Sequence, residues 1–339
     1  MQFSWYFHPL QHKGWHTVAR KGSVFHTLEA SLLLVTLACA NYAQADPTPS
    51  ADSQLPSVTV IASPPPTPQE LAGEAVHDFI RVHARPAVIT GQLARWNDDI
   101  CPITQGLSPQ FNDYVSARLL AIAASIGAPY QRAEKCKGRH NVYIIFTSEP
   151  KKVLETLAKQ DPRLLGFHYE QQTQALEKMT RPIQGWYVTS TRGVKGDRSI
   201  DEANPVLPLE TDIMHMGKHP AGLPGSRLTS HIRSDIVNAV MVVDLNKTTG
   251  HAIGPVADYL AVLTLTQAFA PEQCGTLPSI MDMMVPNCSG REAPTALTAG
   301  DLAFLRGLYH TNTELVLEME QSTINDSMRR QFTAPLAAH

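Results

Sequence analysis

Several recognisable chemistries are missing from this 339-residue chain. It has no G-x-x-x-x-G-K-[ST] loop to cradle a nucleotide phosphate and no G-x-G-x-x-G after a strand. It has no G-x-S-x-G elbow to expose a serine nucleophile. It has no H-E-x-x-H to place two imidazoles and a base on one helical face. Charge of one sign is missing too. With 28 Lys and Arg against 31 Asp and Glu, there is no basic stripe to neutralise phosphates, which excludes a nucleic-acid partner. Cysteine is sparse, at five residues, and no C-x-x-C pair of the kind zinc sites use is present.

What is present begins with an export signal. Lys13, Arg20 and Lys21 precede the apolar run Ser31–Ala38, and Ala43-Gln44-Ala45 forms a small-residue cleavage site before Asp46. Basic flank, short apolar core and A-x-A site predict a secretory signal peptide over residues 1–45. The apolar run is too short for a permanent span, so no integral membrane segment is expected once the signal is removed. The region before it is long, aromatic and His-containing, and translation is expected to start downstream, near Val24. Leu37-Ala38-Cys39 lies near a lipoprotein position, but Thr36 stands where a lipobox has Leu. The expected location is the periplasm or outside the cell.

Removal of the signal takes Cys39 with it and leaves Cys101, Cys136, Cys274 and Cys288. An even number in an exported chain predicts disulfides. Of three connectivities, Cys101–Cys136 with Cys274–Cys288 is expected, because each pair closes a modest local loop. Residues 46–69, rich in Pro, Ser and Thr with Pro64-Pro65-Pro66, read as a disordered linker too poor in apolar residues to fold alone. Within it, Ser57–Ala62 resembles the energy-coupling box of outer-membrane receptors. No alternating barrel segments follow, so the segment reads as an apolar patch in the linker.

From residue 70 to 332 the pattern predicts one α+β domain, a mixed sheet packed with helices. Helices are expected over Glu70–His83, after Ser108-Pro109 to Ile126, after Ser148, over Tyr169–Met179, from the capping box Thr298–Asp301 to Tyr309, and over Glu314–Met328. Strands are expected over Gln92–Ile103, Asn141–Phe146 and Ile183–Thr191. Gly193 to Gly225 reads as a long loop. The most hydrophobic pair is the strand Ile236–Asp244 and the helix Gly254–Phe269, which is apolar nearly all round and is the expected core.

Candidate site residues gather around that pair. Asp258 is the single acid on an apolar helix, so it needs a buried partner or a cleft. The expected partner is a structural hydrogen bond to a backbone group or an Arg; catalytic or binding use is the alternative. Arg192, Arg227 and Arg233 flank the core pair and could grip an anion or pair with carboxylates. His215, His219, His231 and His251 are weak metal candidates. Gly217 between the first two and Pro220 after them argue against a shared helix face.

In order, Arg95-Trp96, Ile126-Gly127, Asn141–Phe146, Ile236–Asp244 with the helix after it, Pro278–Asp282 and Leu297–Leu302 to Leu308-Tyr309 resemble a family of uncharacterised bacterial exported proteins with a zincin-like, metallopeptidase-like layout. In zincins a strand lies beside the central helix that carries the metal-binding motif. That resemblance implies a metal site on Gly254–Phe269, yet the helix has no His and no Glu, and places such as Ala257 and Ala261 present only methyl groups. The resulting expectation is an exported, non-catalytic binding protein on a degenerate zincin-like scaffold. It needs no cofactor, and its partner is an envelope protein or peptide. A metal-dependent or acid–base hydrolase with a non-standard site is the alternative, and a membrane-associated partner engaging Val58–Ile61 is a third.

Overall fold

A helix that is buried on every side needs two layers to cover it, and the chain supplies a sheet on one side and helices on the other. The computed structural model describes residues 75–87, 90–165, 178–193, 228–230, 232–268 and 271–333, the last range without 272, 287, 289 and 290. All belong to one compact unit, Gln54–His339. The expected signal peptide, the linker, the helix Tyr169–Met179 up to residue 177, and the long loop after Gly193 lie outside the described residues.

The described helices are α1 (Ala75–His83), α2 (Pro109–Ile126), α3 (Ala133–Cys136), α4 (Pro150–Gln160), α5 (Leu245–Thr248), α6 (Ile253–Thr266), α7 (Ala299–His310) and α8 (Leu317–Thr333). The strands are β1 (Pro102–Gln105), β2 (Val142–Thr147), β3 (Ile183–Gly193) and β4 (Ile232–Asp244). They form one mixed sheet in the order β1-β2-β4-β3. β1, β2 and β4 run parallel, whereas β3 pairs antiparallel with β4 at one edge. An α+β architecture is therefore observed.

Strand periodicity sorts the core into two faces. Ile144, Phe146, Ile183, Met241 and Val243 join residues of α2 and α6. Ile145, Val240, Val242 and Trp186 pack with Val153, Leu154 and Leu157 of α4 on the opposite face. A second cluster joins α1, α7 and α8 through Phe79, Phe304, Ile324 and Met328. Every residue of α6 from Val256 to Thr266 is buried.

Helix ends follow local chemistry. Gly127 sits at φ 79°, donates its N–H to the last turn of α2, and lets Ala128 N reach Ala123 O at 3.0 Å. Thr298 and Asp301 form the expected capping box, each side chain accepting the other's backbone N–H. The C-terminus of α6 is buried, so its terminal carbonyls need donors. Three aromatic side chains supply them: Tyr187 to Leu263 O (2.7 Å), Trp96 to Thr264 O (2.8 Å) and Tyr309 to Leu265 O (2.9 Å).

One element differs from expectation. The predicted strand Gln92–Ile103 is instead a run of isolated bridges, Pro86 with Leu93, Arg95 with Asp235 and Ile100 with Tyr130, before the short β1. The polar triplet Asn97-Asp98-Asp99 interrupts it and turns its groups to other elements: Asn97 Nδ2 donates to Asp235, and Asn141 Nδ2 donates to Asp99 O. Both expected cysteine pairs lie at disulfide distance, with Cα–Cα separations of 5.7 Å for Cys101–Cys136 and 5.5 Å for Cys274–Cys288.

Candidate functional site

Asp258 faces α2 from the second turn of α6. Arg118 Nε donates to its Oδ1 at 2.5 Å and Arg118 Nη2 to its Oδ2 at 3.1 Å. Leu297 N, just ahead of α7, donates to Oδ2 at 3.0 Å. Both side chains are buried, at 6% and 3% exposure. A bidentate guanidinium plus a backbone amide uses both carboxylate oxygens. Asp258 therefore joins α2, α6 and the entry to α7. Its carboxylate is nearly inaccessible and both of its oxygens already accept.

The other predicted residues are not assembled with it. Arg233, at the start of β4, holds Asp235 with Nε 2.9 Å from a carboxylate oxygen. Arg192 on β3 bridges Asp98 at 3.2 Å and Asp235 at 3.5 Å. Asp235 itself is buried beneath both guanidiniums. His251 is exposed and follows the other end of β4. At ~3.3 Å per residue, Arg233 and the C-terminal end of that strand are roughly 36 Å apart, so Arg233 and His251 cannot share one small ligand. Arg227, His215, His219 and His231 lie outside the described residues.

Two further polar clusters have the composition of a site. Cys274, Asp282 and Cys288 place ligand-type atoms within 4.8 Å of one another. The two sulfurs are paired, and paired sulfurs present no thiolate. The Asp282 carboxylate accepts from Arg291 Nη2 at 2.7 Å and from Ser279 N at 3.1 Å, and Arg291 also donates to Gly275 O and Thr276 O. These contacts close the loop rather than open a site.

Beside it, Ser279 Oγ donates to Asp301 at 2.6 Å and accepts from Met281 N, while Asp301 also accepts from Ile280 N and Thr298 N. His83 completes the cluster from α1. Its Nδ1 is 2.8 Å from Phe79 O, its ring stacks on Phe79, and its Nε2 is buried without a partner. Burial lowers the His83 pKa, against the opposing pull of Asp301 and Asp282. Burial raises that of Asp301, against the donors that surround it. Ser279 is wholly buried and spends its hydroxyl on capping, so Ser279 and Asp301 tie the Ser279–Asp282 segment to the start of α7, while His83 bonds only within α1.

A comparable brace joins α8. Arg95 Nη1 donates to Leu308 O (2.5 Å) in the last turn of α7 and to Thr311 O (2.8 Å) at its C-cap, while Nη2 meets Glu320 Oε1. Glu320 Oε2 accepts from Leu93 N at 2.9 Å. Burial pushes the Glu320 pKa up to about 7 despite Arg95.

Among the described residues there is also a cavity of about 210 Å³ between the entry to β3 and the end of α6, lined by Thr180, Arg181, Ile183, Gln184, Gly185, Leu263 and Ala268. Tyr259 lies one turn before Leu263, on the same side of α6. Its hydroxyl is buried and has no hydrogen-bond partner, and the charge of Arg181 acts on it. Burial raises the pKa of both Tyr187 and Tyr259, so each hydroxyl keeps its proton.

Arg118, Glu320 and Arg181 were not singled out in the sequence. A signal existed for the first two. Arg118 falls on the apolar stripe Tyr114, Val115, Leu119, Ile122, and Glu320 falls on the stripe Leu317, Ile324, Met328. A charge on a buried stripe demands a partner, as was recognised for Asp258. Arg181 carried no such mark. Comparison with protein-family models, with curated proteins and with solved structures finds no match. The described residues form an α+β protein with a mixed four-stranded sheet and two cysteine pairs. Among the described residues no helix is long and apolar enough to cross a membrane.

Proposed function

We propose that this chain is an exported, non-catalytic binding protein on a degenerate zincin-like scaffold. The carrying observation is the condition of Asp258. The one acid of the central helix is consumed by Arg118 and Leu297 N, in the place where the zincin layout would hold catalytic groups. The layout supports the scaffold half of the reading, since an antiparallel edge strand lies beside the strand that leads into the buried helix. The cysteine pairs support export, because such pairs persist in oxidising compartments.

Incubation of the full chain with unfolded casein and with a quenched fluorescent peptide library, with added Zn²⁺ and with chelator, tests the proposal. The expected result is no cleavage above the protein-free control under either condition. Cleavage abolished by chelator, or by Asp258→Asn in a variant that remains folded, refutes it. Export is tested by fractionating cells that express the chain and typing the compartment in which the processed form appears.

A further inference from the structure

We propose that the loop from Arg132 to Arg139 is a docking surface for an acidic segment of a partner protein. This inference rests on the binding reading above and names the chemistry of the partner.

Positive charge is concentrated here. Lys and Arg make up 28 of the chain's 339 residues, but they fill four of the eight positions from 132 to 139. These are Arg132, Lys135, Lys137 and Arg139, with Glu134 as the one acid among them. All four cations are exposed. None of them has an ion-pair partner among the described residues. The lysines of α4 show the ordinary arrangement of a solvated helix face. Lys151 lies 3.9 Å from Glu155, and Lys152 lies 3.5 Å from Glu149. The Arg132–Arg139 loop leaves its charges unanswered.

The loop is also held in place. Cys136 at its centre is buried and lies 5.7 Å, Cα to Cα, from Cys101. Ahead of it, Gln131 N donates to Ile100 O at 3.1 Å, and within it Arg139 N donates to Cys136 O at 2.9 Å. After it, the Asn141 side chain accepts from Cys101 N and donates to Asp99 O. Charges presented on a fixed backbone lose less conformational freedom on binding than charges on a flexible tail.

Lys137 supplies a second observation. Its backbone is left-handed, at φ 49° and ψ 41°, directly before Gly138 at φ 75°. Asn or Gly takes that conformation with less strain than Lys. Strain that a single local substitution would relieve points to a use for the side chain that causes it. Here that side chain is an exposed ammonium, two residues from both Lys135 and Arg139.

The kind of anion follows from what borders the loop. Asp98 and Asp99 are exposed, and Asp99 accepts from Gln131 Nε2 at 3.1 Å. The chain as a whole carries a net charge of −3. A flat anionic bilayer would meet those acids together with the cations, whereas a narrow acidic strand meets the loop alone. α3 is about 6 Å long and one chain reversal follows it, so roughly four to six residues of extended chain cover the charges. Tyr130, two residues ahead of Arg132 and 41% exposed, offers such a segment apolar area.

Fluorescence anisotropy on the full chain tests the proposal with a labelled octapeptide of alternating Glu and Ser, and with the same peptide carrying Gln for Glu. The acidic peptide is expected to bind saturably, about tenfold or more tighter than the Gln peptide. It should weaken about fivefold or more between about 50 and about 300 mM NaCl. Lys135→Glu/Lys137→Glu/Arg139→Glu should weaken it about tenfold or more. Lys151→Glu/Lys152→Glu/Lys159→Glu on α4 changes net charge equally and should weaken it less than about threefold. Lys137→Asn suits the left-handed backbone, so it should resist urea as well as wild type while weakening the peptide about twofold to fivefold. Phosphatidylglycerol vesicles form the lipid arm, and the chain is expected to stay in the supernatant when they are sedimented.

Circular dichroism and urea unfolding verify that the variants fold. Absence of saturable binding to the acidic peptide, equal losses in the two triple variants, or co-sedimentation with vesicles that the loop variant abolishes overturns the proposal. Those outcomes leave the non-catalytic reading standing, because that reading fails only on chelator-sensitive or Asp258-dependent cleavage.

Discussion

Replacing Asp258 by asparagine leaves the Arg118 guanidinium buried without its counter-charge. Both side chains are nearly inaccessible and bonded through two short contacts, so breaking the pair from one side should cost about 3–5 kcal/mol. Arg118→Met breaks it from the other side and should cost a similar amount, because it strands the carboxylate. The double variant Arg118→Met/Asp258→Leu removes both charges and strands the Leu297 N donor. It should lie within about 1–2 kcal/mol of wild type, well short of the single defects summed. Urea unfolding at pH 5, 6 and 7, with constant m-values, measures all three. An Asp258→Asn defect below about 1 kcal/mol, or a double variant as unstable as both singles combined, would refute the assignment of Asp258 to structure.

Glu320 and His83 predict opposite pH slopes. Burial raises the folded pKa of Glu320 from 4.5 to about 7, so its contribution is full below pH ~4.5 and is lost as pH rises through 7, by up to about 3 kcal/mol. In urea unfolding between pH 5 and 7.5, Glu320→Gln should flatten that component. Burial lowers the folded pKa of His83 below 6.5, so its contribution is present above pH 6.5 and is lost as pH falls. His83→Leu should remove this acid-sensitive component, read as a smaller drop in stability between pH 7 and 5 than wild type shows. Finally, Cys274→Ser/Cys288→Ser opens a loop of sequence separation 14 and should cost about 3 kcal/mol, while peptide mapping without reductant should recover both pairs intact. Free thiols at all four positions would contradict the pairing.

How much could be read without the fold depends on the range of the physics involved. The end of α2 was legible because Gly127 relieves a strain that belongs to one residue, and the start of α7 because Thr298 and Asp301 are three residues apart. The cysteine pairing was legible because loop closure favours near neighbours in the chain. The core pair β4 and α6 was legible because its hydrophobicity leaves no exposed face. The strand expected over Gln92–Ile103 failed because its polar triplet is committed to Asp235 and Asn141, residues far along the chain.

Local sequence alone determined the longer described helices, the caps and the demand that Asp258 have a buried partner. Only the tertiary structure named that partner, because Arg118 lies 140 residues away and packing selects among all the cations the chain offers. It likewise joined Arg95 to Glu320 across 225 residues, separated Arg233 from His251 by the length of β4, and enclosed the cavity that faces Arg181. A charge on an apolar stripe announces a requirement, and packing of distant elements determines what meets it.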